Sequence, residues 1–138
     1  KGHQSYQFLR PYYVKHLEFS FKIIKYQNGI KTNGEIEHKR ILAFCGIANN
    51  IHFFKTLEVM AVPIKQKIKF TNHVIYTTKN IEKLDNAMTN HDSCITTYKD
   101  FVKLNDNFIN KHIIYVLEMI VDARDENLIA AIEKIIKK

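Results

Sequence analysis

Apolar and polar positions change their spacing several times along this chain, and each change marks an element. Leu17, Phe19, Phe21 and Ile23 alternate with Glu18, Ser20 and Lys22, a period of two that predicts a strand. Asn28 with Gly29, and Asn33 with Gly34, are turn dipeptides that supply positive φ. A short return strand between them gives a two-stranded ribbon. Ile41, Leu42, Ala43, Phe44 and Cys45 form an unbroken apolar run ending at Gly46, as a buried strand does. Asn49 or Asn50 caps a helix whose apolar face is Ile51, Phe54, Leu57 and Val59 or Met60, and Pro63 stops it. Ile64, Gln66, Ile68 and Phe70 predict the next strand. Thr77 or Thr78 starts a helix carrying Ile81, Leu84 and Met88. Ser93 to Thr97 and His112 to Val121 read as two further strands. Leu128, Ile129, Ala131, Ile132, Ile135 and Ile136 then stand at helical spacing, with Asp122 or Asp125 as cap and lysines at the end.

Strand–helix repetition predicts an α/β fold: a mostly parallel sheet with flanking helices, three-layered and Rossmann-like, preceded by the two-stranded β-ribbon. Residues 1–16, with Tyr6, Phe8, Tyr12 and Tyr13 around Pro11, keep no clear period and read as a linker or docking segment. Residues 17–40 are the ribbon and linker, and 41–138 the α/β domain. In such sheets ligands approach the carboxyl ends of the strands. Three strand ends therefore draw attention: Gly46 to Asn50, Phe70 to His73, and Thr96 to Asp100.

Composition narrows the field. The chain has 138 residues, 46% hydrophobic and 12% aromatic, enough for one domain with a core and unlike a disordered chain. No apolar run reaches the roughly 18–20 residues of a membrane span, and Lys1 to Lys22 does not read as a signal peptide. The first residue is Lys rather than Met, and the chain reads as a piece of a longer protein. Cys45 and Cys94 lie in predicted strands without a CxxC partner or a His at ligand spacing, so they read as buried free thiols in a reducing compartment. Net charge is +7, and it is uneven: residues 1–70 carry twelve Lys and Arg against four Glu, residues 71–138 nine against ten acids. The basic half suits an anionic partner. Compositional drift competes, since Lys, Ile and Asn make 50 of the 138 residues.

The strand ends hold the candidate chemistry. The turn from Gly46 to Asn50 opens a helix whose N–H groups suit an anion, although neither GxGxxG nor GxxxxGK[ST] is present; a plain tight turn is the competing reading. His73, beside Asn72, suits a general base, because imidazole titrates near neutrality; an exposed loop histidine competes. Thr96, Thr97, Lys99 and Asp100 crowd the third strand end, where Lys99 and Asp100 suit binding a phosphate or positioning a helix; strand-end capping with a solvated ion pair is the competing reading. Asp92, Asp106 and Asp125 are scattered and lack metal-ligand spacing. No serine nucleophile elbow or paired catalytic carboxylate is present.

The same three segments resemble one enzyme family. Residues 41–57, with Ala43, Phe44, Gly46, Ile47, Phe53, Phe54 and Leu57, look like the AFxGIxxPxxFFxxL stretch of tetraacyldisaccharide 4'-kinase, the lipid A kinase. Phe70, His73 and Tyr76 are similar to its F-x-D-H-x-x-Y stretch. Thr97, Lys99, Asp100 and Lys103 resemble its TEKDxxK stretch. Order and spacing agree across residues 41–104. The resemblance implies transfer of the ATP γ-phosphate to the 4'-hydroxyl of a lipid A disaccharide precursor, at the cytoplasmic face of the bacterial inner membrane. It implies ATP and Mg as cofactors, held by an N-terminal P-loop domain that this chain lacks, with residues 17–40 resembling the joining ribbon. The partners so implied are the glycolipid, the P-loop domain and the inner-membrane surface, with no nucleic acid. His73, with Asn72 beside it, takes the place of the catalytic pair that faces the interdomain cleft, where the histidine helps an aspartate of the other domain activate the hydroxyl. Three positions depart from the pattern: Asn72 stands for Asp, Asn50 for Pro and Tyr98 for Glu. The competing functions are a non-catalytic basic α/β binding module and a decayed remnant of the enzyme.

Overall fold

The computed structural model describes residues 17–123, together with Lys134 and Ile136. Six strands form one sheet: β1 (Leu17–Gln27), β2 (Ile30–Thr32), β3 (Ile41–Cys45), β4 (Ile64–Lys69), β5 (Ser93–Thr97) and β6 (Ile114–Ala123), in the order β2-β1-β6-β5-β3-β4. Four helices intervene: α1 (Asn50–Val59), α2 (Thr78–Met88), α3 (Tyr98–Phe101) and α4 (Asp106–Lys111). By its contacts the chain divides into two units, Ile23–Glu118 and Lys1–Lys22 with Met119–Lys138. The described residues of the second are 17–22 and 119–123 in β1 and β6, with Lys134 and Ile136 in helical conformation. These four helices and the described core residues belong to the unit Ile23–Glu118.

The expected α/β sheet is present. β3 pairs in parallel with β4 and β5, and β5 with β6. β1 and β2 form the antiparallel hairpin, with Gln27 opposite Ile30. Its turn holds Asn28 at φ 54° and Gly29 at φ 75°, the left-handed pair that a two-residue hairpin requires.

Alternation along β3 sorts the core into two layers. Leu42 and Phe44 face Ile81, Leu84 and Met88 of α2 and Phe108 of α4. Ile41, Ala43 and Cys45 face Phe53, Phe54 and Leu57 of α1. The Phe44 ring meets those of Phe70 at 6.5 Å, Tyr76 at 6.1 Å and Phe108 at 6.5 Å, all edge-on, the arrangement that aromatic quadrupoles favour.

Caps set the helix starts. The side chains of Asn49, Thr77, Thr97 and Asn105 accept from the backbone N–H groups of His52, Asn80, Asp100 and Phe108, each satisfying an N–H that has no partner inside the helix.

Several expectations need correction. Ile51 and Val59 are 75% and 61% exposed, so they do not belong to the apolar face of α1. Each stands two positions from a buried residue, Phe53 or Leu57, and residues two apart lie on opposite sides of a helix. The last strand begins at Ile114, because His112 still ends α4 with its ring beside Phe108 at 4.6 Å and Asp85 at 2.7 Å. Asp122 lies within β6. Of the helix expected over 128–136, only Lys134 and Ile136 fall among the described residues; Asp125 and residues 1–16 lie outside them.

Phe44→Ala should lower stability by about 3–5 kcal/mol in urea unfolding, because it removes the ring around which three others assemble. Cys45 and Cys94 are both buried and free. Burial pushes the Cys45 thiol up to about 11, and raises that of Cys94 as well. At pH 8 only about one Cys45 in a thousand is thiolate. Titration with a thiol reagent at that pH should find neither cysteine in the native chain and both after unfolding.

Candidate functional site

The carboxyl ends of β3, β4 and β5 meet around one carboxylate. Asp100, in α3 directly after β5, is fully buried. Its Oδ1 accepts from the Gly46 N–H at 3.1 Å and from the Tyr76 hydroxyl at 2.9 Å. Its Oδ2 accepts from the Thr97 hydroxyl at 2.6 Å, and the Asp100 N–H donates back to Thr97 Oγ at 3.1 Å. A buried carboxylate needs such donors to offset its lost hydration. Burial first, and the Asp100 charge second, hold the Tyr76 phenol well above its ordinary range, so it keeps its proton and remains a donor.

This corrects the phosphate and ion-pair readings of Thr96 to Asp100, whereas the capping expected there is present, with Thr97 and Asp100 holding the start of α3. Asp100 does not face solvent with Lys99 in an ion pair, nor does it offer itself to a phosphate. Lys99 is exposed, while Asp100 points inward. Thr96 is buried and donates to the Phe44 carbonyl at 2.8 Å. In the turn before α1 the Gly46 N–H meets Asp100.

Gly46 has a second constraint. A Cβ there would lie 2.2 Å from Val74 Cγ1 and 2.9 Å from Val74 Cβ, closer than real atoms approach. Only glycine lets the 71–74 turn sit on the end of β3. That turn is tied further by the Phe70 N–H donating to the Cys45 carbonyl at 2.8 Å and by Lys103 Nζ reaching the Val74 carbonyl at 3.5 Å. Asn80 Nδ2 donates to the Ile75 carbonyl at 2.8 Å, just before α2.

On this anchored turn stand Asn72 and His73, both exposed. His73 has φ 59°, left-handed backbone in a residue that is not glycine, a conformation uncommon outside turns and active sites. Among the described residues, nothing hydrogen-bonds its ring. Ile75, Tyr98 and Val102 follow the same strand ends and are 77%, 51% and 57% exposed. Sequence reasoning thus placed Asn72 and His73 at a strand end, but missed that Asp100, Tyr76 and Gly46 form the support beneath them. The signal was their occurrence at fixed places in the three resembling segments. No group of three His, Cys, Asp or Glu residues suited to a metal ion occurs among the described residues.

Asp100→Ala leaves three donors without their acceptor and should cost about 3 kcal/mol or more. Gly46→Ala should cost about 1–3 kcal/mol. In the 15N-resolved spectrum of Gly46→Ala the amide signals of residues 71–74 should move most, and an unmoved turn would show that Gly46 does not set it.

Residues 4–137 match the protein family described as Tetraacyldisaccharide-1-P 4'-kinase. Among curated relatives, the tetraacyldisaccharide 4'-kinase of Koribacter versatilis is 32% identical over 100 residues, 71% of this chain and 30% of the relative. That of Francisella tularensis subsp. novicida is 38% identical over 69 residues, 50% of this chain and 20% of the relative. The chain thus spans a fifth to a third of the length of these relatives. The fold resembles the crystal structure of "apo" form LpxK from Aquifex aeolicus in complex with ATP, with a TM-score of 0.53 and 21% identity, covering 85% of this chain and 36% of that one. Matched over nearly its whole length, the chain belongs to the tetraacyldisaccharide-1-P 4'-kinase family.

Proposed function

We propose that this chain is the C-terminal part of a tetraacyldisaccharide 4'-kinase, and that it presents His73 to the hydroxyl that receives the phosphate. The observation that carries this reading is the His73 turn: exposed, left-handed, and fixed from below by Gly46 and Asp100. Phosphoryl transfer asks a protein chiefly to position and orient the attacking oxygen. An imidazole on a rigid turn suits that task, and its ring nitrogen can accept the hydroxyl proton. Asn72 beside it offers an amide, which hydrogen-bonds but carries no charge.

The sequence of this chain holds no P-loop motif. In this reading ATP and Mg are bound by a P-loop domain, and the exposed Ile75, Tyr98 and Val102 contact that domain around the turn. The substrate is the acylated disaccharide of lipid A synthesis, met at the cytoplasmic face of the inner membrane. No helix among the described residues is long and apolar enough to cross a membrane, which suits peripheral attachment. Alone, the chain is inactive.

The test joins this chain to the P-loop half of a related kinase and follows transfer of labelled phosphate from ATP to the disaccharide. The chimera should be active, and His73→Ala should lower kcat about 10²–10⁴-fold with the urea midpoint unchanged. Asn72→Asp should raise kcat. An active chimera indifferent to His73→Ala removes the assigned role, and an inactive chimera with a folded C-terminal part favours a remnant.

A further inference from the structure

Unpaired positive charge gathers in the groove between α1 and the edge strand β4. The groove holds about 300 Å³ and is lined by Lys55 and Glu58 of α1 and by Lys67 and Lys69 of β4, with Phe54 and Ile51 alongside. Lys67 and Lys69 pair with Ala43 and Cys45, two residues of the α1-side core, so both lysines rise on the face that α1 covers. The Lys67 ammonium lies 5.4 Å from the Phe54 ring centroid, a cation–π contact that holds it over the groove. Three ammonium groups thus face one carboxylate. Among the described residues none of the three makes an ion pair. The first turn of α1 carries no acidic residue, so the positive end of its dipole adds to the same field. Beside the lysines, Ile51 is 75% exposed.

Lysines on an edge strand also discourage strand addition. That accounts for neither Lys55, which is on a helix, nor the bare Ile51. Clustered ammonium groups with an exposed aliphatic side chain suit an interface that is anionic at its surface and apolar just beneath. We propose that this groove binds the phosphate of an anionic lipid at a bilayer surface, with Ile51 entering the headgroup layer. The inference deepens the kinase reading by giving the chain a lipid-facing element. Its test contains no phosphotransfer, so either can fail without the other.

The experiment is co-sedimentation of the 138-residue chain with phosphatidylcholine vesicles, with and without phosphatidylglycerol. Binding is expected only with phosphatidylglycerol and should weaken with salt. The combined Lys55→Gln, Lys67→Gln and Lys69→Gln variant should bind on the order of a hundredfold more weakly, and arginine at the three positions should restore binding. Lys31→Gln, Lys39→Gln and Lys79→Gln together remove the same charge from exposed sites elsewhere and should change binding by no more than a few-fold. Ile51→Ser, at constant charge, should weaken it severalfold. Absence of binding, or equal loss in both triple variants, overturns the proposal. Displacement by millimolar inorganic phosphate would identify a soluble phosphate site instead. Tighter retention on single-stranded RNA, lost in the same variant, would overturn the lipid assignment.

Discussion

One buried carboxylate organises this end of the molecule. Asp100 has no exposure to water and takes hydrogen bonds from residues that follow three different strands: Gly46 after β3, Tyr76 in the loop after β4, and Thr97 at the end of β5. Removing an ion from water costs several kcal/mol, and three donors on two oxygens offset that cost. The location matters as much as the strength. β3 and β5 are neighbours whose connections leave toward opposite faces, α1 on one and α3 with α4 on the other. Such a switch point is the usual ligand crevice of an open α/β sheet. Here Asp100 and Tyr76 fill it, and the exposed chemistry is moved outward to the turn bearing Asn72 and His73.

This arrangement gives the family resemblance a physical content. Motif residues that this chain shares with the family, among them Phe44, Gly46, Tyr76 and Asp100, are buried or half-buried and hold the three strand ends to one another. Of the three departures, Asn72 and Tyr98 are exposed and Asn50 is half-buried at the first position of α1. These buried shared residues account for the common architecture, whereas the shared His73 and Lys99 are exposed like the departures Asn72 and Tyr98. Likeness of fold and likeness of chemistry are separable properties in this chain.

Much of the sheet was legible from patterning. β3 and β5 were read with the bounds they have, because each is a short, fully buried run closed by a turn or cap residue. The hairpin followed from Asn28 and Gly29, and α2 from Thr77 with Ile81, Leu84 and Met88. The misses have simple causes. α3 and α4 contain four and six residues, too few for a period to show, and only the caps Thr97 and Asn105 signalled them. On α1 the reading placed Phe54 and Leu57 correctly, with Met60 rather than Val59 packed against the core, but took Ile51 in place of Phe53, because spacing alone does not say which of the two meets the sheet. Asp100 was the deepest miss. Beside Lys99 it looks like half of a surface ion pair, and its burial depends on Gly46, 54 positions earlier. No local pattern carries that information.

The backbone of His73 has an implication for how this chain changes over generations. In the left-handed region a side chain of this kind costs about 1 kcal/mol or more relative to glycine. Neutral drift that conserved the fold alone would therefore tend to replace the histidine with glycine. Position 73 is thus a sentinel. An imidazole kept there over generations is held against that backbone preference.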